Sequence, residues 1–537
     1  MSFGTSGMSL SAIADEIDRL DMSSQEEVVT ESEEWDEDDS GNENEGDQST
    51  EDHGWVYEIG DKENFANRQF IFTGPAPGPT HPVLNGYQAL KLFIDDEIVS
   101  LVVSRFNSFA ANTRKPKRRK TYSPPLTLTS ELFWKWIAVV ILIQIHGKAN
   151  IRDNWSTDWL LHTPCFRDIM GVDTFEEILS GLHFADDNEG DKVDKFGKIR
   201  ELFDMFNKNF STAYNLEREI SIDESMLLWK GHHSLQRYIP SKRHRWGFKI
   251  YCLAESRTGY VWSMLVDEGK NTKAADIVGI QKPGQVVMEL MKPILGRGHC
   301  LGVDNFYTDA SLFELLLEHK TDCVGTVRKN RRFLPKKIMH TKWKKKEDRG
   351  KVNCAYKGRL ILCNYLDKRD VRIMSSVGTG DNVGKKPEVI HIYNKLMPGV
   401  DLGDQKRHGS EIARTRLKRW YKKFFLYLID IALVNSQIIA ETIPGQIRTT
   451  PSSFRRSLVQ TILQAHNVSN KSFTSNICCD LEKVEKNNRG NCKVCYQEKK
   501  VLRKTYFRCK KCKVFVCPEF CFVKYHNDFI DRDAQIN

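Results

Sequence analysis

Hydrophobic positions along the chain change period once, near residue 219, and this divides it into a helical first half and a mixed second half. Between Gly86 and Asn107, Leu90, Phe93, Ile94, Ile98, Leu101, Val102 and Phe106 recur at helical spacing. Thr129 or Ser130 then caps a helix with Glu131 in its first turn; it runs through Phe133, Trp136, Val140 and Ile143, and Gly147 ends it. That helix is apolar almost all round, which predicts burial. Further helices are expected over 173–183 and 196–214. From Glu219 onward Ile220 and Ile222 alternate with Ser221 and Asp223, as in a strand. Strands are expected at 248–254 and 260–266, joined by the turn Ser256-Arg257-Thr258-Gly259. A helix near 284–295, a short strand at 300–304 and a helix at 311–320 follow. A meander followed by alternating strands and helices implies an α/β fold. Two more strands are expected at 358–364 and 372–376, and a long helix from Trp420 to about Glu441. No internal repeat of fixed period is visible.

Charge sharpens this division. The 537 residues have a formal net charge of +9. Residues 1–60 hold 19 acidic residues and one basic residue, Arg19, while the rest carries 79 basic and 52 acidic residues. The first 80 residues read as an acidic tail without fixed structure, and the remainder as a basic globular body. Hydrophobic content of 40%, with 11 Trp and 28 Phe, supplies a core and excludes a wholly disordered or fibrous chain. The start lacks a signal-peptide pattern, and the longest unbroken apolar run, 136–143, is too short for a bilayer, so no membrane partner is expected.

Three segments put an aspartate after an apolar strand or at a tight turn: Ile222-Asp223-Glu224, Val303-Asp304-Asn305, and Gly399-Val400-Asp401-Leu402-Gly403-Asp404. Converging carboxylates repel unless cations hold them together, and hard divalent ions suit oxygen donors. Spacing alone leaves the alternative open that each aspartate is a turn former or helix cap.

The order of several blocks resembles piggyBac-family transposases. Asp223-Glu224 with Arg237-Tyr238-Ile239-Pro240-Ser241-Lys242 and Gly247-Phe248-Lys249-Ile250 is similar to the first catalytic block. Asp304-Asn305-Phe306-Tyr307-Thr308 is similar to the second, and Tyr393-Asn394-Lys395 with Gly399 to Asp404 to the third. Ile151 to Ser156, Leu182 to Asp186 and Lys418-Arg419-Trp420 also match. Pro398 departs from the pattern, since many relatives have a second glycine there.

The resemblance implies an RNase H-like catalytic domain of the DDE/D type with an inserted β-rich domain, a flanking helical domain and a C-terminal cross-brace zinc domain. The implied layout is a helical dimerisation and DNA-binding domain at 81–215 and a catalytic domain split between 216–329 and 391–445. The insertion occupies 330–390, a linker 446–477, and the cysteine-rich domain 478–530. Asp223, Asp304 and Asp401 would be the catalytic aspartates, holding Mg²⁺ or Mn²⁺, with Asp404 a fourth important acidic residue. The implied activity is cut-and-paste transposition by a homodimer: binding of terminal inverted repeats, hairpinned ends and insertion at TTAA. A domesticated descendant that binds DNA or chromatin without catalysis is the alternative, and the presence of all four aspartates favours an enzyme.

Dense basic clusters flank these blocks, and such clusters contact DNA phosphates. Lys242, Arg243, Arg245, Arg328, Lys329, Arg331, Arg332, Arg416, Lys418 and Arg419 are the expected contacts, with Asn305 beside them. Trp420 either stacks on a base or packs in the core. The run 114–120 is basic around a proline and reads as a nuclear import signal, a nucleic-acid patch or a solvated loop; nuclear import is favoured.

Of 14 cysteines, eight lie between Cys478 and Cys521. Cys492, Cys495, Cys509, Cys512, Cys517, Cys521 and His526 have the spacing of zinc ligands. Seven ligands fill one tetrahedral site and leave a second one short, which Cys478 or Cys479 would complete. Two structural zinc sites are therefore expected.

Overall fold

The computed structural model describes residues 54–60, 62–113, 126–185, 194–240, 245–344, 347–408, 417–443, 449–466, 481–485, 488–499, 501–510, 512–518, 521–522 and 525. Its main helices are α1 (Gly86–Lys91), α2 (Asp96–Thr113), α3 (Ser130–His146), α4 (Val172–Gly181), α5 (Arg200–Thr212), α6 (Lys282–Met291) and α7 (Ala310–Glu318). The series continues with α8 (Glu388–Leu396), α9 (Gly399–His408), α10 (Trp420–Ala440) and α11 (Pro451–Ala465). The buried helix α3 is delimited as its sequence requires. The Thr129 side chain accepts from the Leu132 N–H, and Gly147, at φ 60°, returns its N–H to the Ile143 carbonyl.

Nine strands form one mixed sheet: β1 (Glu219–Leu228), β2 (Gln236–Tyr238), β3 (Trp246–Glu255), β4 (Val261–Val266), β5 (Cys300–Val303), β6 (Asp322–Thr326), β7 (Val352–Lys357), β8 (Leu360–Leu366) and β9 (Asp370–Ser375). The order is β2-β3-β1-β5-β6-β9-β8-β7, with β4 on the same outer edge of β3 as β2. β1, β5 and β6 run parallel, and the other pairings are antiparallel. Residues 330–390, expected to hold two strands, contribute three to the main sheet, extending it beyond β6, and also a two-residue pair at Asn382–Val383 and Lys386–Pro387.

Two expected boundaries move. The segment 446–477 was expected to be a linker, yet α11 lies within it. The Thr450 side chain caps α11, Pro451 opens it, and Phe454, Leu458, Ile462 and Leu463 are buried against α3 and α1. Those apolar positions recur at helical spacing, a local signal that the polar composition of the whole segment hides. The acidic tail was expected to reach residue 80, but residues from 54 onward pack on the sheet. Trp55 is buried with its indole N–H on the Phe333 carbonyl, and Val56 pairs with Tyr356 on β7. The Arg68 guanidinium donates to the carbonyls of Arg359, Phe65 and Gly378. Residues 1–53 lie outside the described residues.

α10 is long and apolar enough to cross a membrane, but 94% of its most apolar window is buried inside the protein. It is the central core helix. Even its Lys422 ammonium turns inward to donate to the Leu179 and Ser180 carbonyls at the end of α4.

Candidate active site

The parallel pairing of β1 with β5 sets Ile222 opposite Val303, so the next residues, Asp223 and Asp304, stand side by side where β5 ends. The turn after β5 is tightly fixed. The Asp304 carboxylate accepts from the Phe306 N–H at 2.8 Å, and its carbonyl accepts from the Thr308 hydroxyl at 2.8 Å. One carboxylate oxygen from each of Asp223, Glu224 and Asp304 lies within 4.8 Å of the others. Burial and then the Glu224 charge push the Asp304 carboxyl up to about 7, although the Phe306 N–H and Arg328 oppose this. Burial, with Glu224 second, thus disfavours the ionised Asp304 carboxylate, a penalty that a bound cation relieves.

The sequence reading did not single out Glu224 as a site residue. Strand alternation assigns it to the face opposite Asp223, yet one of its carboxylate oxygens lies within 4.8 Å of those of Asp223 and Asp304. Tyr307, three residues past Asp304, donates its hydroxyl to Glu224 at 2.9 Å, and the Lys249 ammonium pairs with the same carboxylate at 3.1 Å. The adjacent Asp-Glu pair was the available signal.

Asp401 enters from the first turn of α9. That helix approaches β1 closely because residue 399 is glycine: a Cβ there would sit 2.5 Å from the Ser221 hydroxyl and 2.9 Å from the Glu255 carbonyl. Pro398 is accommodated just before the helix, where its carbonyl accepts from the Leu402 N–H at 2.8 Å. Tyr393 lies on α8, the helix before α9. Burial first, then the charges of Asp304, Asp223 and Asp401, hold its phenol far above the usual tyrosine range. Asp401 is not one of the tight group formed by Asp223, Glu224 and Asp304.

Asp404 does not join them. Its carboxylate accepts from the Ser225 hydroxyl at 3.0 Å and from Arg407 at 2.7 Å. Arg407 is only 3% exposed and lies 4.4 Å over the Tyr427 ring, and Tyr427 also reaches the Ser225 hydroxyl. The structure therefore makes Asp404 part of a strut joining α9 to β1 and α10, rather than part of the carboxylate cluster.

The expected DNA contacts divide similarly. Arg245, Lys329, Arg332, Lys418 and Arg419 are exposed. Arg331 is instead committed to the Asp304 turn, donating to the carbonyls of Asn305 and Phe306 at 3.1 and 2.6 Å. Arg328 donates to the Asn305 side chain at 3.0 Å and orients it. Trp420 packs among Phe196, His233 and Phe248, with ring centroids 4.5–5.8 Å away, which gives it the core role. Lys242, Arg243 and Arg416 lie outside the described residues.

In the cysteine-rich region the Sγ atoms of Cys492, Cys495, Cys517 and Cys521 cluster. Cys495 lies 4.0 Å from Cys517 and 3.6 Å from Cys521. Thiolates about 2.3 Å from a tetrahedral zinc would be about 3.8 Å apart, so the four fit one closed site. Burial and the neighbouring thiols push Cys517 up to about 11 and Cys521 up to about 12, so four thiolates need a cation to coexist. Cys509 and Cys512 fall between these ligands in sequence and form a separate turn, in which the Cys512 N–H donates to the Cys509 sulfur at 3.2 Å. His526, Cys478 and Cys479 lie outside the described residues.

This architecture has known counterparts. A family model described as Transposase IS4 matches residues 85–437. The human PiggyBac transposable element-derived protein 3 is 28% identical over 476 residues, spanning 82% of this chain and 76% of that protein. The human PiggyBac transposable element-derived protein 2 is 27% identical over 399 residues, spanning 70% of this chain and 65% of that one. The cryo-EM structure of a piggyBac transposase synaptic complex with hairpin DNA shares the fold. Its TM-score is 0.67 at 23% identity, covering 82% of this chain and 98% of that chain. With two thirds of its length matched by the family model and its carboxylates gathered at the end of β5, the chain belongs to the piggyBac transposase family.

Proposed function

We propose that this protein is a cut-and-paste DNA transposase that binds terminal inverted repeats, excises its element by metal-dependent strand cleavage and joins the 3′-OH ends to TTAA-type targets. The observation that carries this reading is the parallel register that sets Asp223 beside Asp304. The sheet supports an RNase H-like catalytic core, because an antiparallel meander, β4-β3-β1, continues into two parallel strands, β5 and β6.

Asp223, Asp304 and Asp401 are the metal holders in this reading, with Glu224 beside them. Hard oxygen donors packed this closely fit Mg²⁺ or Mn²⁺. Such ions, when bound, activate a water or 3′-OH and stabilise the leaving oxygen in phosphoryl transfer. The chain's own contributions are positional. Arg331 and Arg328 fix the turn that carries Asp304 and Asn305. Arg245, Lys329, Arg332, Lys418 and Arg419 offer exposed cations to backbone phosphates. The cysteine-rich region adds zinc-stabilised structure for end recognition. Work as a homodimer, and nuclear entry through the basic run 114–120, complete the reading.

The test is cleavage of a labelled duplex carrying the element's terminal repeat, with and without Mg²⁺. The alternative reading, a descendant that binds DNA without catalysis, predicts binding to the same duplex and no metal-dependent product.

A further inference from the structure

At the outer edge of the sheet, β2 and β3 form a hairpin in which Tyr238 pairs with Trp246. The two rings lie side by side, 4.6 Å apart at 44°. They are 43% and 47% exposed, an unusual display for neighbouring large aromatic side chains. The backbone beneath them is rigid. The Ile239 N–H donates to the Arg245 carbonyl at 2.7 Å, the Trp229 N–H to the Trp246 carbonyl at 3.0 Å, and the Gln236 side chain to the Trp229 carbonyl at 2.8 Å. Arg237 is tied to Asp267 at 3.0 Å, and Arg245, beside Trp246, is exposed. Residues 237–246 contain four basic residues and no acidic residue.

An aromatic face beside the exposed Arg245, with Lys242 and Arg243 outside the described residues, matches a nucleotide: the base stacks and its phosphate meets the cation. An apolar protein surface would cover the rings but leave the positive charge unanswered. The location fits as well. β1 runs from Asp223 toward Trp229, whose N–H bonds to Trp246. Six residues at about 3.3 Å each span about 20 Å. The strand therefore places the aromatic pair about 20 Å from Asp223.

We propose that Tyr238 and Trp246 form a stacking site for an unpaired DNA base on the sheet that carries Asp223. The inference rests on the DNA-processing reading above. A base within B-form duplex has both faces covered by its neighbours, so the site selects single-stranded or unstacked DNA.

The experiment measures binding of the full chain, without divalent metal, to a single-stranded 20-mer carrying 2-aminopurine and to a duplex of equal length. On the single strand, 2-aminopurine emission is quenched on binding, and Trp246→Ala weakens affinity about 5- to 150-fold, the range for loss of one base stack. Tyr238→Ala has a smaller effect in the same direction, and Trp246→Phe keeps most of the affinity. Duplex affinity of Trp246→Ala stays within about two-fold of wild type. Unchanged single-strand affinity, or an equal loss on both DNAs, overturns the proposal. Because no metal is present, the result is independent of cleavage: failure to cut defeats the transposase reading and leaves this one standing, and the converse also holds.

Discussion

Arg407 donates to Asp404 at 2.7 Å across one turn of α9, and both side chains also reach the Ser225 hydroxyl on β1. Arg407 is buried and the Asp404 side chain is 22% exposed, and the pair fixes the helix that carries Asp401 to the strand that carries Asp223. Removing one partner of a buried pair leaves an uncompensated charge. Arg407→Met is therefore expected to cost about 3 kcal/mol in denaturant unfolding. Asp404→Ala should destabilise the chain in the same direction. A stable Arg407→Met protein would show that the pair is not a strut.

Asp304 should behave in the opposite way. Its carboxyl is raised to about 7 by burial and by Glu224, so its ionised form is disfavoured in the folded chain. A raised acid lowers folded stability progressively as pH climbs from about 4, its unfolded value, toward 7. Asp304→Asn removes that burden. The metal-free variant should melt above wild type at pH 8, with the difference shrinking toward pH 4. An equal or lower melting temperature at pH 8 would contradict the crowding seen in the site.

His299 supplies an independent pH signal at the opposite end of β5 from Asp304. Burial lowers its pKa to about 4, while its ring nitrogen bonds to the Glu217 carbonyl at 3.0 Å. The unfolded chain takes up a proton below about 6.5 that the folded imidazole refuses until about 4. Stability should therefore fall as pH drops through that window, by up to about 3 kcal/mol at about 1.4 kcal/mol per unit. His299→Gln should flatten this part of the urea-unfolding profile, and an unchanged slope would count against the burial.

The cysteine geometry makes a stoichiometric prediction. The purified chain should hold two zinc ions, and Cys495→Ser should lose one of them, since Cys495 sits beside both Cys517 and Cys521. Cys509→Ser should cost the other. Elemental analysis that finds full zinc in Cys495→Ser would break the interleaved pairing.

Much of the frame that brings Asp223 and Asp304 together was legible in the chain, for identifiable reasons. The caps of α3 are local chemistry, and Asp223 and Asp304 follow β-runs whose period is plain in the chain. Other features depend on tertiary position. Arg331 looks like its neighbour Arg332 in sequence, yet one braces carbonyls and the other faces solvent. Trp420 is a core residue because Phe196 and Phe248 happen to meet it. Glu224 is held in the site by Tyr307 and Lys249, tertiary contacts that no single-strand pattern reveals. Asp404 stands three residues from Asp401 in a matching motif, and one helical turn aims it at Ser225 instead.

The most direct measurement is Mg²⁺-dependent cleavage of a labelled duplex bearing the element's terminal repeat, comparing wild type with Asp304→Asn. The two proteins should bind the duplex equally within about two-fold, and only wild type should yield cut product, with at least about 100-fold more than the variant, the scale expected when a metal-holding carboxylate is lost. Equal product from both proteins, or none from wild type while it holds the duplex, would contradict the account.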